Sequence, residues 1–381
     1  MKLDFLEPVV AHKGPWATVY ATTGPADESS ARRRELTWRE LCRSLEEQGA
    51  DEATVGAVRA SLDGLEPGAD TPGIALFAAE GRTVLTRTLG QPPAATEAIW
   101  SEIPRLTPLL ELTQQRPGCL VARIDRAGAD FRMHGLSSVE DAGSVHGRDR
   151  PPHRAAPDAW SARHFGVAGE NTWAEKAARI AQEVVRVFAD SGAELLVLAG
   201  GARECHSVDE HLPLELRDVT TISWHDGRAA GAETDRLDAS IETARLEHAA
   251  RAAENVLDRF RAGRDASGGD PAAIEGVPAV AEAARQHRID TLLITPAGPD
   301  PRRELWIGEH PDQVAVRRSD AERLGAEHPH AARADDALLC SAVAAGGEAF
   351  VVPGDGGDGS PAGGIGALLR WPVGEAERTR G

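Results

Sequence analysis

One helix that feeds directly into a buried strand limits the fold more than any other feature of this chain. Apolar residues recur at Trp173, Ala177, Ile180, Ala181, Val184 and Phe188, the spacing of a single helical face turned toward a core. Gly192 closes the pattern, and the run ELLVLA at 194–199 leads into Gly200 and Gly201, as a glycine stop followed by a buried strand would read. Upstream, CLVARID at 119–125 is a second buried strand and ADFRMH at 129–134 its hairpin partner. The order strand, strand, loop, helix, strand is that of an α/β sheet. Thr172 and Glu175 stand in capping-box register, which puts the helix start at about Trp173.

The flanking stretches differ in texture. Residues 1–115 mix a strand at 17–21, a polar helix at 29–44, and apolar runs at 73–78 and 83–86 that read as a hairpin turning at Glu80 and Gly81. A helix over 234–260, rich in Ala, Glu and Arg with weak apolar spacing, suits a connection between two bodies and is followed by a Gly/Ser/Asp linker at 263–270. Alternation then resumes: helix 279–286, strand 291–294, helix 332–345, strand 349–352, and an apolar ending at 366–371. This divides the chain into 1–115, 116–245 and 246–381.

Charge and cysteine usage exclude several function classes. The 42 Lys and Arg face 60 Asp and Glu, a formal charge of -18, which disfavours nucleic-acid or anionic-membrane binding by the whole surface and leaves only a local basic patch for such a partner. Cys42, Cys119, Cys205 and Cys340 are widely spaced and form no C-x-x-C pair, so they read as reduced, buried thiols. Asp4 and Glu7 interrupt the apolar core a secretory leader would need, and no run reaches membrane-spanning length; the expected location is cytoplasmic.

The basic patch has one candidate place. Between 146 and 166, Arg148, Arg150, Arg154 and Arg163 outnumber Asp149 and Asp158, with His146, His153 and His164 beside them. Two readings stand: a phosphate-contacting segment, or a solvated loop whose arginines carry no function. Directly after it, Gly166 and Gly169 can let backbone approach a phosphate chain closely or simply relax a loop. Glu170 has the chemistry of a general base but no identifiable partner, and a first-turn Glu is favoured electrostatically in any case. No Walker, zincin or serine-hydrolase signature occurs. Gly364-Ile-Gly366 is a turn, and Cys205, His206, Asp209 and His211 match no standard metal spacing. No catalytic residue, metal or cofactor is assigned.

The Arg- and His-rich loop, the amphipathic helix, the segment LLVLAGGARE at 195–204, and the Ala/Glu helix leading to a second α/β unit together resemble class-1 peptide release factors of archaea and eukaryotes and Pelota, and more closely the bacterial archaeo-eukaryotic release factor-like family. The resemblance is best over 162–201, 275–294 and 363–370 and spans roughly two thirds of the chain. It implies three domains: an N-terminal α+β domain, an RNase-H-like middle domain, and a C-terminal α/β/α sandwich resembling kink-turn RNA-binding proteins. It also implies that the loop of the middle domain reaches the ribosomal peptidyl-transferase centre. Catalytic members carry Gly-Gly-Gln there; here residues 166–171 read GVAGEN. The resemblance to Balon-like hibernation factors implies occupancy of the A site of idle 70S ribosomes under stress, in company with elongation factor Tu. The rRNA contacts would then be Arg148, Arg150, Arg154, Arg163, His164, Gly166, Gly169, Glu170, Asn171 and Lys176. The alternatives are a peptidyl-tRNA hydrolase or rescue enzyme with a changed loop, and a stress-linked binding protein that no longer meets the ribosome.

Overall fold

The computed structural model describes residues 3–23, 28–65, 72–135, 139–146, 165–224, 230–265, 271–352, 354 and 359–371. It parts into two compact units, one of residues 1–114 with 251–381 and one of residues 115–250.

The first unit begins with a short helix α1 (Glu7–Val10), strand β1 (Trp16–Thr22), helices α2 (Glu28–Glu47) and α3 (Glu52–Asp63), strands β2 (Gly73–Ala79), β3 (Arg82–Leu89) and β4 (Glu97–Ser101), and helix α4 (Thr107–Gln115). The four strands form an antiparallel sheet in the order β3-β2-β1-β4. β2 is buried along its whole length and β1 along all but its last residue, because both sheet faces are covered. On one face Trp38, Leu41 and Leu45 of α2 and Val55, Val58 and Leu62 of α3 pack on Ala17, Val19, Ile74 and Leu76. On the other, the Tyr20 and Phe77 rings meet edge to face at 6.1 Å. The Tyr20 hydroxyl donates to the Arg105 carbonyl at 2.7 Å and accepts the Leu109 N–H at 3.1 Å. The hairpin turns at Glu80 and Gly81 as the sequence indicates; both have positive φ (50° and 72°), the two-residue turn whose twist suits paired strands. Asp51 caps α3 by accepting the Thr54 N–H at 2.8 Å.

The second unit holds β5 (Cys119–Ile124), β6 (Gly128–His134), β7 (Val139–His146), α5 (Phe165–Ser191), β8 (Leu195–Gly200), α6 (Ala202–Asp209), α7 (Leu214–Arg217), β9 (Thr220–Trp224) and the first part of α8 (Ala230–Arg264). Its sheet has the order β7-β6-β5-β8-β9, antiparallel from β7 to β5 and parallel from β5 to β9. That three-two-one-four-five arrangement is the RNase-H-like one. Period-two alternation divides the core cleanly. Leu120, Ala122, Ile124, Leu196 and Leu198 face Ile180 and Val184 of α5. Cys119, Val121, Leu195, Val197 and Ala199 face Leu237, Ile241 and Ala244 of α8.

The later part of α8 belongs to the first unit, with β10 (Ala273–Glu275), α9 (Val277–Arg285), β11 (Ile289–Ile294), β12 (Glu304–Ile307), β13 (Val314–Ala315), α10 (Arg318–Arg323), β14 (His330–Arg333), α11 (Ala334–Ala344), β15 (Glu348–Val351) and β16 (Ile365–Leu369). The main sheet is β10-β16-β11-β15, with β11 and β15 parallel, and a three-stranded sheet β13-β12-β14 stands apart from it. Ala253 and Phe260 of α8 cover Ala273, Leu293, Phe350 and Leu368, while α9 and α11 pack against the sheet as well. The result is an α/β/α sandwich.

One local expectation fails. Helix α5 begins at Phe165, not at Trp173, so Thr172 lies inside the helix rather than at its cap, and Gly166 and Gly169 are helical rather than part of a loop. A glycine costs a helix interior only about 1 kcal/mol, too little to stop a helix whose later turns are anchored by Ala177, Ile180, Ala181 and Val184.

Candidate functional site on the middle sheet

In the second unit the chain leaves β5 toward β6 and β7 on one side, and β8 toward β9 on the other. The crevice outside the carboxyl ends of strands at such a switch point is where open α/β sheets take their ligands. Two tight segments form this edge. After β5, Asp125 Oδ1 accepts the Ala127 and Gly128 N–H groups at 2.6 and 2.8 Å, which shapes the turn. At the tip of that turn Arg126 is 92% exposed, its Nε 3.4 Å from Glu204 Oε1. After β8, a Cβ on Gly200 would lie 2.2 Å from the Ile124 carbonyl oxygen. Only glycine lets the two strand ends approach this closely.

Glu204 is in the first turn of α6, where a carboxylate complements the helix dipole. Beneath it the Cys205 thiol is fully buried, and burial pushes it up to about 12. Burial likewise pushes Cys119 up to about 12. Both are therefore protonated thiols at neutral pH and not nucleophiles. Neighbouring His206 pairs with Glu210 at 3.5 Å. Among the described residues no group of three or more His, Cys, Asp or Glu is arranged to hold a metal ion.

Helix α5 carries one of the sequence-selected residues, Lys176, to this edge. Lys176 Nζ donates to the Arg126 carbonyl at 3.1 Å, tying the helix to the β5–β6 turn. At 27 residues the helix is about 40 Å long, while the six residues of β5 span about 20 Å. Since Ser191 leads back to the start of β8 and Lys176 already meets the carboxyl edge, the backbone of Gly166, Gly169, Glu170 and Asn171 extends past it. Arg148, Arg150, Arg154, Arg163 and His164 lie outside the described residues. Trp173 is half-buried against the core under the sheet. Sequence reasoning missed Arg126, Gly200 and Glu204; the dipeptide Gly200-Gly201 at a strand end was the available signal for close backbone approach there.

The family match falls mainly on this unit. Residues 118–266 match the family model described as bacterial archaeo-eukaryotic release factor family 2, a range running from the start of β5 through α8. Uncharacterised proteins of two Mycobacterium tuberculosis strains, CDC 1551 / Oshkosh and ATCC 25618 / H37Rv, are each 27% identical over 375 residues, covering 97% of this chain and 97% of theirs. Among solved structures, S. cerevisiae Dom34, described as a translation termination-like factor, is similar at TM-score 0.42 and 12% identity over 80% of this chain and 82% of its own. Archaeal Pelota, from a model of its ribosome-bound complex with ABCE1, is similar at TM-score 0.41 and 14% identity over 97% and 94%.

Proposed function

We propose that this chain, whose residues 118–266 match the model of bacterial archaeo-eukaryotic release factor family 2, is a ribosome-binding translation factor that occupies the A site of idle 70S ribosomes without releasing peptide, in company with elongation factor Tu. The observation that carries the second half is the hexapeptide GVAGEN at 166–171, set in the first turns of α5. It has no Gly-Gly pair and no glutamine. Peptide release needs water held in attack geometry against the ester of peptidyl-tRNA, and a misplacement of about 1 Å can cost 100-fold. A helical, acidic segment offers the wrong backbone for that task, and the protonated thiols of Cys119 and Cys205 supply no substitute nucleophile.

The basic segment supports the first half. On a chain of charge -18, rRNA phosphates need Arg and Lys only where the protein enters, and Arg148, Arg150, Arg154 and Arg163 precede the helix end that passes the sheet edge. Lys176 and Arg126 continue positive charge along that edge. In this reading His164, Gly166, Gly169, Glu170 and Asn171 form the rRNA-facing tip.

Purified protein should cosediment with 70S ribosomes and leave peptidyl-tRNA intact in a release assay. Multiple-turnover release that is lost on Glu170→Ala or Asn171→Ala would replace this reading with that of a peptidyl-tRNA hydrolase. Failure to cosediment with ribosomes from either growing or starved cells would remove the ribosome as partner.

A further inference from the structure

The first unit contains a cavity of about 660 Å³ for which the proposed ribosome binding has no use. Its floor is apolar: Ala337, Cys340 and Val343 of α11 are 2%, 8% and 5% exposed, Trp16 of β1 is 1% exposed, and Val9 of α1 and Val314 of β13 complete it. Its mouth is polar. Glu7, Glu102 and Glu309 stand there with Lys13, His12, His310, His328 and His330, and His330 Nδ1 is 3.5 Å from Glu102 Oε1. Pockets of about 300–1,000 Å³ with an apolar body and a few placed polar groups are the usual form of small-molecule sites.

The mouth is built to hold its shape. Gly308 N–H donates to the Gln313 carbonyl at 3.0 Å, and His310 N–H to Gln313 Oε1 at 3.0 Å. Gln313 Nε2 in turn donates to the Leu324 carbonyl at 3.2 Å. Across from this turn, the Glu309 carboxylate accepts the N–H groups of Glu327 and His328 at 3.3 and 3.0 Å. Hydrogen bonds from its own backbone N–H and from that of His328 hold the Glu309 carboxyl below the usual carboxylate range. The segments bearing His310 and His328 are thus tied to each other before any ligand arrives, so binding costs little ordering entropy.

Charge then selects the ligand. Of the Asp, Glu, Lys and Arg side chains at the mouth, three are carboxylates and one is a lysine, over an apolar floor. The apolar floor beneath these carboxylates matches a cation that carries an apolar body, that is, an organic one. We propose that this cavity binds a small molecule with an apolar, ring-sized body and a cationic amine head, the body against the half-buried Val10 and Ile103 and over Cys340, the head between Glu102 and Glu309.

The probe is tryptamine, with indole-3-acetate as the anion of nearly the same shape, each titrated into the purified full chain by calorimetry near neutral pH. Tryptamine should occupy a single site and bind at least about tenfold more tightly than indole-3-acetate. The double variant Glu102→Gln, Glu309→Gln keeps side-chain shape and one of the two acceptor oxygens that Glu309 presents to the Glu327 and His328 N–H groups, and should lose about tenfold for tryptamine while leaving indole-3-acetate unchanged. Ala344→Phe, at an exposed position on the rim, should close the cavity to both with unaltered thermal melting. Equal binding of the two probes overturns the proposal. So does tryptamine binding that survives Ala344→Phe, or no tryptamine binding up to its solubility limit. Should Ala344→Phe melt early, the double variant decides: unchanged tryptamine affinity rejects the site.

Discussion

Gly200 is the residue on which the geometry of the second unit's candidate edge depends most directly. Its backbone is at φ 155°, and a methyl group there would overlap the Ile124 carbonyl oxygen at 2.2 Å. Neither partner is a flexible side-chain end, so strands β5 and β8 would have to separate at the carboxyl edge. Gly200→Ala should therefore destabilise the protein by about 2 kcal/mol or more, in the range of substitutions that strain a special backbone site, as read from the denaturant midpoint of the variant against the parent. Gly201→Ala makes the contrast: its added methyl meets only the mobile carboxylate end of Glu204, and its cost should stay below that of Gly200→Ala. The pair of glycines was legible in the sequence as a strand end; which of the two is indispensable was not, because that depends on a strand 76 positions earlier in the chain, by the pairing of Gly200 with Ile124.

Among the elements, α11 shows how a helix terminus can be used twice. Its first turn carries Asp335 and Asp336, 1% and 3% exposed. Asp336 Oδ1 accepts the N–H groups of Leu106 and Thr107 at 3.1 Å each and the Thr107 hydroxyl at 2.9 Å, so it caps the start of α4 from another helix. Its Oδ2 takes Arg105 Nη1 at 2.6 Å, while Asp335 pairs with Arg105 at 3.0 Å and with Arg333 at 2.7 Å. Burial opposes the Arg105 charge, but the carboxylates of Asp336 and Asp335 outweigh it and raise the guanidinium further. Burial and the adjacent Asp335 push the Asp336 carboxyl up, against Arg105. Removing one member leaves buried charge and orphaned donors, which costs about 3–5 kcal/mol. Asp336→Ala should lower stability by that much in a denaturant titration. Asp336→Asn, which keeps one acceptor for the cap, should lose less. Gln114 joins the same regions differently: its amide donates to the Val351 carbonyl and accepts the Val351 N–H, both at 2.7 Å, satisfying the open side of edge strand β15. Neither device has a local sequence signal, since each joins residues more than 200 positions apart.

At the scale of the whole molecule, the proposed function sets an acidic chain against a polyanion, which works only if the interaction is confined. Arg154→Ala with Arg163→Ala should leave thermal melting unchanged and weaken ribosome association, with the slope of the salt dependence falling by about one unit for each phosphate that an arginine no longer neutralises. A salt titration in which the double variant cosediments like the parent would assign residues 146–164 to plain solvation. The two-unit division has a helix common to both: α8 runs 35 residues, with Leu237, Ile241 and Ala244 in the core of one unit and Ala253 and Phe260 in that of the other. Its weak apolar periodicity follows from serving two different cores on successive stretches.

Where local pattern and burial agree, the chain announced itself. The alternating faces of β5 and β8, the apolar stripe of α5, the Glu80-Gly81 hairpin, and the sheet strands at 291–294 and 349–352 all follow from side-chain period and turn chemistry, which are properties of neighbours in sequence. The α/β class and the release factor-like resemblance came with them. Asp51 ahead of α3 is a cap that residue type alone makes readable. The short strands of β12, β13 and β14 had no such signal: two to four residues are too few for a period to show, and they exist because they pair with each other. The start of α5, the cavity over α11, the cap that Asp336 lends to α4, and the close approach of Gly200 to Ile124 were decided only by tertiary structure, since each depends on which distant backbone groups and side chains packing brings within a few ångströms.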